Sequence, residues 1–170
     1  MTADQGPQLG AQSRWAWIAS LASILLVVAA VVVPRGDNLA LRAAGVTLLI
    51  ASALFTISPI FALKRHGQGE EASVYMATSR VVDRGPYALV RHPQYLGYML
   101  LDWGFALLTQ HWAVAVLAAV GTMGFYLQAL AEERACLAHF GASYAQYRRR
   151  VPRLNVVTGV VRLLSRRLQR

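Results

Sequence analysis

The sequence predicts an all-α integral membrane helical bundle of four transmembrane helices, with a long polar segment between the second and third. Three observations predict it. The chain is 56% apolar and only 15% charged over 170 residues, and its mean hydropathy is +0.40. Soluble domains carry roughly 25% charge, and a soluble core of this size cannot hide so much apolar surface. The apolar residues are also gathered in four runs, and the basic residues are unevenly divided between the ends of those runs.

The first run, Trp15 to Val33, holds no charge. At ~1.5 Å rise per residue it is long enough to cross the hydrocarbon core. A signal peptide is the competing reading, but the run is long for one and only Arg14 precedes it closely. The second run, about Leu39 to Leu63, has Arg42 near its start and Pro59 near its end, where a proline kinks or ends a helix. The third, about Tyr95 to Leu108, is short for a span, which implies an earlier start, a tilt or cover from its neighbours. Thr109-Gln110-His111 reads as a tight turn. The fourth run, about Trp112 to Leu130, then forms an antiparallel hairpin with the third. The whole chain reads as one membrane-embedded domain.

Orientation follows from the basic residues. Of the 17 Lys and Arg, only Arg35 and Arg42 lie at the first loop, and none at the third. The other fifteen lie before the first run, between the second and third, or after the fourth. By the positive-inside rule both termini and the middle segment are cytoplasmic. A net charge of +9 is compatible with nucleic acid, but arginines that flank apolar runs point to anionic membrane lipids instead. After the fourth span, Val157, Val160, Val161, Leu164 and Leu168 share one helical face and Arg162, Arg166 and Arg170 the other. This is the pattern of an interfacial helix over about 156–170, or of a helix packed on the protein's own surface. The single cysteine, Cys136, permits no intrachain disulfide, and no metal-binding constellation is visible.

The chemistry-bearing residues cluster at Val81–Gly97, VVDRGPYALVRHPQYLG, just ahead of the third span. Gly85-Pro86 marks a turn. Pro93 suits the first turn of a helix, because its ring sets φ and the missing N–H has no partner there anyway. His92 then sits at a helix start, where free N–H groups, with Arg91 nearby, suit a carboxylate. A second cluster, Glu132-Glu133, stands at the cytoplasmic end of the fourth span. Paired acids at that depth suggest a cation or hydroxyl partner, while a solvated helix end beside Arg134 and His139 is the alternative. A third, FGASYAQYRRRVPR from Phe140 to Arg153, is aromatic and basic, as at a membrane surface.

In this order the clusters resemble the isoprenylcysteine carboxyl methyltransferase family and its phospholipid methyltransferase relatives. The resemblance covers Ser79 to Arg153. It is carried by GPYALVRHPQYLG, a span hairpin and EERACLAHFGASYAQYRRRVPR. It implies a cytoplasmic cofactor-binding segment that holds S-adenosylmethionine through Ser79, Arg80, Val81 and Val82, through Tyr87, His92, Pro93, Gln94 and Tyr95, and through Glu132. His92 at a helix start suits the methionine carboxylate, and a glutamate suits the ammonium or ribose hydroxyls. One position departs from the family. Where the prenylcysteine enzymes place a substrate-binding arginine one turn before the acidic pair, this chain has Gln128, which hydrogen-bonds a carboxylate without neutralising it. Asp102, inside the third span, is a functional candidate by its position or a hydrogen-bonded helix contact with Gln128 or a hydroxyl.

The implied activity is direct methyl transfer from S-adenosylmethionine to O, N or S of a lipophilic acceptor. Prenylated thiols, isoprenoid acids, phospholipid headgroups and small thiols are all candidates. For an amine or hydroxyl acceptor, Glu133, Asp102 or Tyr147 are candidate bases. A membrane reductase using NADPH is the rival enzyme, because some sterol reductases carry a similar Arg-His-Pro-x-Tyr-x-Gly stretch. A membrane scaffold without catalysis is the non-enzyme rival. Oligomeric state has no signature in the sequence.

Overall fold

A computed structural model describes residues 14–66, 78 and 80–168. They form six helices: α1 (Arg14–Val32), α2 (Leu39–His66), α3 (Pro93–Thr109), α4 (Trp112–Phe140), α5 (Ala142–Arg150) and α6 (Val156–Leu168), with a 3-10 turn at Gly85–Ala88 ahead of α3. No strand occurs among the described residues. Ser79, a candidate cofactor residue, lies outside them.

The bundle is apolar on the outside. Trp17, Leu21, Ile24 and Val28 of α1 and Ile50, Leu54, Ile57 and Phe61 of α2 are all exposed. Such a continuous apolar surface is stable in lipid and costly in water. Helices α1, α2 and α4 are each long and apolar enough to cross a membrane. The 17 residues of α3 extend about 26 Å, short of the ~30 Å hydrocarbon thickness. The chain is an integral membrane protein built as a helical bundle.

The first span lies where the sequence places it. The second outruns its expected end: Pro59 is buried within α2, which continues to His66. Proline costs the Phe55 carbonyl its usual donor, and α3 packs against that same turn. A Cβ at Gly97 would strike the Thr56 hydroxyl, and would stand 2.9 Å from Thr56 N and 3.1 Å from the Phe55 carbonyl carbon. Only glycine allows that approach, the usual way for membrane helices to gain close backbone packing. Gly97→Ala is therefore expected to lower stability by about 1–3 kcal/mol through overpacking. Unfolding in detergent with an unchanged midpoint would show that the seam is looser than described.

The fourth helix runs ten residues past its expected end at 130, to Phe140. That extension carries Glu132, Glu133 and Cys136. The predicted turn between α3 and α4 is present. Gln110 takes the left-handed conformation (φ 55°), and the imidazole of His111 caps α4 by accepting from the Ala113 N–H. Gln110 also locks the two loops at this end together. Its amide donates to the Asn38 carbonyl at 2.8 Å, and its side-chain oxygen accepts from the Asn38 N–H at 3.1 Å.

α2 packs mainly on α3, and α1 on α4. Asp102 ties three helices. It is fully buried in α3, accepts a 2.9 Å hydrogen bond from Ser23 of α1, and fills the space left by Gly121 of α4. A second core lies at the end of the bundle where α2 closes, and there Ala62 and Leu63 of α2, Val82, Tyr87, Cys136, Tyr144 and Tyr147 pack together. In α6 the apolar face is turned outward, with Val157, Val161, Leu164 and Leu168 exposed. The helix touches the body through Gly159, where a Cβ would collide with the Leu89 carbonyl.

Candidate functional site

Three pieces of chain, far apart in sequence, meet at one end of the bundle. They are the start of α3, the end of α4 and the strap that follows α5. Pro93 opens α3 as its first residue, and His92 before it lies outside the helical region (φ −122°, ψ 65°), in line with the bias against helical backbone ahead of proline. The strap holds this corner through backbone. The Arg91 N–H donates to the carbonyls of Pro152 (2.9 Å) and Arg153 (3.1 Å), and the His92 N–H to that of Arg153 (3.2 Å). Tyr147 supports it from beneath: it is fully buried, and its hydroxyl donates to the Tyr87 carbonyl at 2.8 Å.

Glu133 is the centre of charge. Arg153 grips it with two hydrogen bonds, Nε to Oε1 at 2.8 Å and Nη2 to Oε2 at 2.9 Å. Arg91 Nη2 lies 3.0 Å from Oε1, with both side chains buried. His92 Nε2 lies 3.4 Å from the same oxygen without hydrogen-bonding to it. Bidentate arginine–carboxylate pairing is strong and directional, and here it ties the strap to α4. Burial pulls the Arg91 guanidinium below its ordinary value, with Glu133 opposing the shift. Arg153 moves the other way, chiefly through its hydrogen bonds to Glu133.

Glu132 and Glu133, being neighbours on a helix, point about 100° apart. Glu132 turns to the other side of His92, 3.9 Å from Nδ1, and keeps some exposure. Gln128 is one turn earlier on the same face. The Tyr95 phenol lies near both, close enough for each to bear on its ionisation. His92 stacks on Tyr95 (5.6 Å between ring centroids), and Tyr95 on Phe125 (6.1 Å). Gln94 donates to the Tyr98 hydroxyl at 3.0 Å. Tyr87 is buried beside Glu132 and Cys136, and burial with the nearby Glu132 charge pushes its phenol well above the ordinary value.

Arg80, Val81 and Val82 approach the same end. Val82 packs with Tyr87 and Cys136, while Arg80 is exposed and donates to the His66 carbonyl at 2.8 Å. With Asp83 and Arg84 they line a shallow polar depression. Asp102 is not brought in. Its neighbour Gly121 is twelve residues before Glu133 on α4, about 18 Å along the helix. The sequence reading left Arg153 and Tyr126 outside the candidate set. Arg153 Nη1 donates to the Tyr126 hydroxyl at 3.0 Å. The seven-residue spacing from Tyr126 to Glu133, two turns on one face, is the signal that groups them.

Most of the polar atoms of this cluster have partners. Among the described residues, the buried Arg91 Nε and Nη1 and His92 Nε2 have none. Buried donors in that state cost about 1–3 kcal/mol each, and they mark a place where an acceptor belongs.

The family model for phospholipid methyltransferases matches residues 41–143, more than half of the chain. The chain belongs to the phospholipid methyltransferase family. It is similar to methanethiol S-methyltransferase 2 of Bradyrhizobium diazoefficiens, 44% identical over 82 residues, which are 48% of this chain and 29% of that protein. It is similar to the protein-S-isoprenylcysteine O-methyltransferase of Schizosaccharomyces pombe, 34% identical over 90 residues, 49% of this chain and 38% of that protein. It is similar also to the methanethiol S-methyltransferase of Mycobacterium tuberculosis, 42% identical over 69 residues, 40% of this chain and 27% of that protein. The matched segments thus span between a quarter and two fifths of these relatives. No solved structure matches the chain. The family includes the isoprenylcysteine-type enzymes that the motifs between Ser79 and Arg153 resemble.

Proposed function

We propose that this membrane protein transfers a methyl group from S-adenosylmethionine to a lipophilic acceptor at the end of the bundle that carries Arg91 and Glu133. The observation that carries the reading is the set of buried donors without partners on Arg91 and His92, beside two glutamates. S-adenosylmethionine fits that set. Its carboxylate is an acceptor for Arg91 Nε and Nη1 and His92 Nε2, which have no hydrogen-bond partner among the described residues, and its ammonium or ribose hydroxyls suit Glu132. Tyr87, Gln94, Tyr95 and the stretch from Ser79 to Val82 complete the cradle, and Pro93 sets the direction of α3 beneath it.

When bound, the cofactor supplies an electrophilic methyl on a sulfonium, so the protein's task is alignment and exclusion of water. Glu133, held by two guanidinium groups, is a weak proton acceptor and acts as a positioning residue that fixes Arg91, Arg153 and His92. Tyr147 positions the 3-10 turn through the Tyr87 carbonyl. Asp102 holds α1, α3 and α4 together at a distance from the reacting groups. Gln128, one turn before Glu132 and near Tyr95, faces the acceptor as a neutral amide. That favours a thiol over a prenylcysteine carboxylate, in keeping with two relatives named for methanethiol.

In this reading α3 is a fourth span, shortened and covered by α2 and α4. The fifteen-to-two division of basic residues supports a cytosolic site with both termini on the same side. The outward apolar face of α6 then lies in the cytoplasmic interface, and the acceptor enters sideways between helices.

Calorimetry with S-adenosylmethionine and S-adenosylhomocysteine on the purified protein tests the central claim. Micromolar binding is expected, weakened by His92→Ala and by Glu132→Ala in protein that still inserts. No binding of either ligand would sink the proposal, and stabilisation by NADPH instead would assign the reductase reading.

A further inference from the structure

At the opposite end of the bundle, α1, α2 and α3 leave a groove of about 350 Å³. Val27 and Val31 of α1 and Phe105 and Leu108 of α3 line it, and Arg35 and Arg42 stand at its mouth. Its exposed lining is almost wholly apolar. It lies far from the Arg91–Glu133 cluster: α4 rises about 31 Å from Trp112, at this end, to Glu133.

These two arginines are the pair left on the sparse side of the chain's basic-residue division. Arginines there run against the positive-inside tendency, so each asks for a local reason. Arg42 has one. Its guanidinium donates to the Gly36 carbonyl at 2.8 Å and pairs with Asp37 at 3.1 Å, closing the α1–α2 loop. Arg35 has no acidic partner among the described residues, and Asp37, two positions on, already serves Arg42. The mouth is therefore net positive, above an apolar slot, where α1 ends and α2 begins. That is the depth at which lipid headgroups sit.

We propose that this groove binds one anionic phospholipid of the bilayer, with an acyl chain between α1 and α3 and the phosphate at Arg35 and the outer edge of Arg42. An apolar slot alone takes any acyl chain, so the charge at the mouth sets the preference. Arg35 is the selecting residue. The site is separate from the methyl-transfer end and does not depend on that function.

Native mass spectrometry of the detergent-purified full chain tests this, with phosphatidylglycerol and phosphatidylcholine of matched chains added in equal amounts. Phosphatidylglycerol is expected to be retained preferentially. Arg35→Gln is expected to lower that preference about fivefold, the effect of one basic residue near an anionic headgroup. Because Arg35 is exposed and has no ion-pair partner among the described residues, this variant should fold as the parent does. Val31→Trp, which fills the groove from an exposed position, should reduce retention of both lipids. Equal retention by the parent protein, or an unchanged preference in Arg35→Gln, overturns the proposal. Displacement of bound lipid by a prenylated thiol assigns the groove to the acceptor and overturns it as well.

Discussion

Glu133→Ala is expected to destabilise the protein by about 3–5 kcal/mol, the cost of leaving a buried charge uncompensated. Arg91 is the reason. Its side chain and that of Glu133 are only 8% and 4% exposed, so without the carboxylate the guanidinium is neither paired nor hydrated. Arg153, whose side chain is 27% exposed, can turn toward water and suffers less. Losing Glu133 also frees the strap from α4, so the Arg91–His92 corner loses its support. Unfolding in a detergent series measures the effect, and a loss below about 1 kcal/mol, the scale of an exposed pair, would contradict the buried network. The double variant Arg91→Met with Glu133→Leu separates stability from function. Replacing a buried ion pair with apolar groups of similar size is often neutral. That protein should regain most of its stability and still fail to bind the cofactor.

Arg91→Gln should lower affinity for S-adenosylhomocysteine by about one to two orders of magnitude, the value of charged hydrogen bonds at ~1.5–3 kcal/mol. It should barely change affinity for methylthioadenosine, which lacks the amino-acid carboxylate. The ratio between the two ligands is the informative quantity, because a general loss of structure lowers both together. Equal losses would place Arg91 in the scaffold and leave the carboxylate to another group. Arg91→Lys is expected to recover little of the ratio, since a single ammonium cannot present the guanidinium's fork of donors.

Much of the architecture was legible beforehand. The bilayer demands apolar residues over a length set by its thickness, so composition and run length mark α1, α2 and α4 directly. The Thr109–His111 turn follows from polar residues between two such runs. The ends were less legible. Pro59 does not terminate α2, because Gly97 lets α3 pack onto the turn that the proline leaves short of a donor. The ten extra residues of α4 carry charge, and apolar counting stops at the first acid. Yet Glu133 is buried, at 3% exposure, because two arginines distant in sequence cover it.

By itself the sequence determined the membrane bundle and the hairpin of α3 and α4, and it drew the candidate site residues to the stretch from Ser79 to Arg153. These depend on local signals: hydropathy, turn residues and short motifs. Only the tertiary structure decided how the adjacent glutamates differ. Glu133 lies locked between Arg91 and Arg153, while Glu132 turns toward Tyr95 and His92 and keeps some exposure. It also separated Asp102 from this cluster and joined it to Ser23 and Gly121. The physical reason is range. A carboxylate's role depends on which cations and donors the fold brings within about 4 Å of it, and here those partners come from other helices and from the strap.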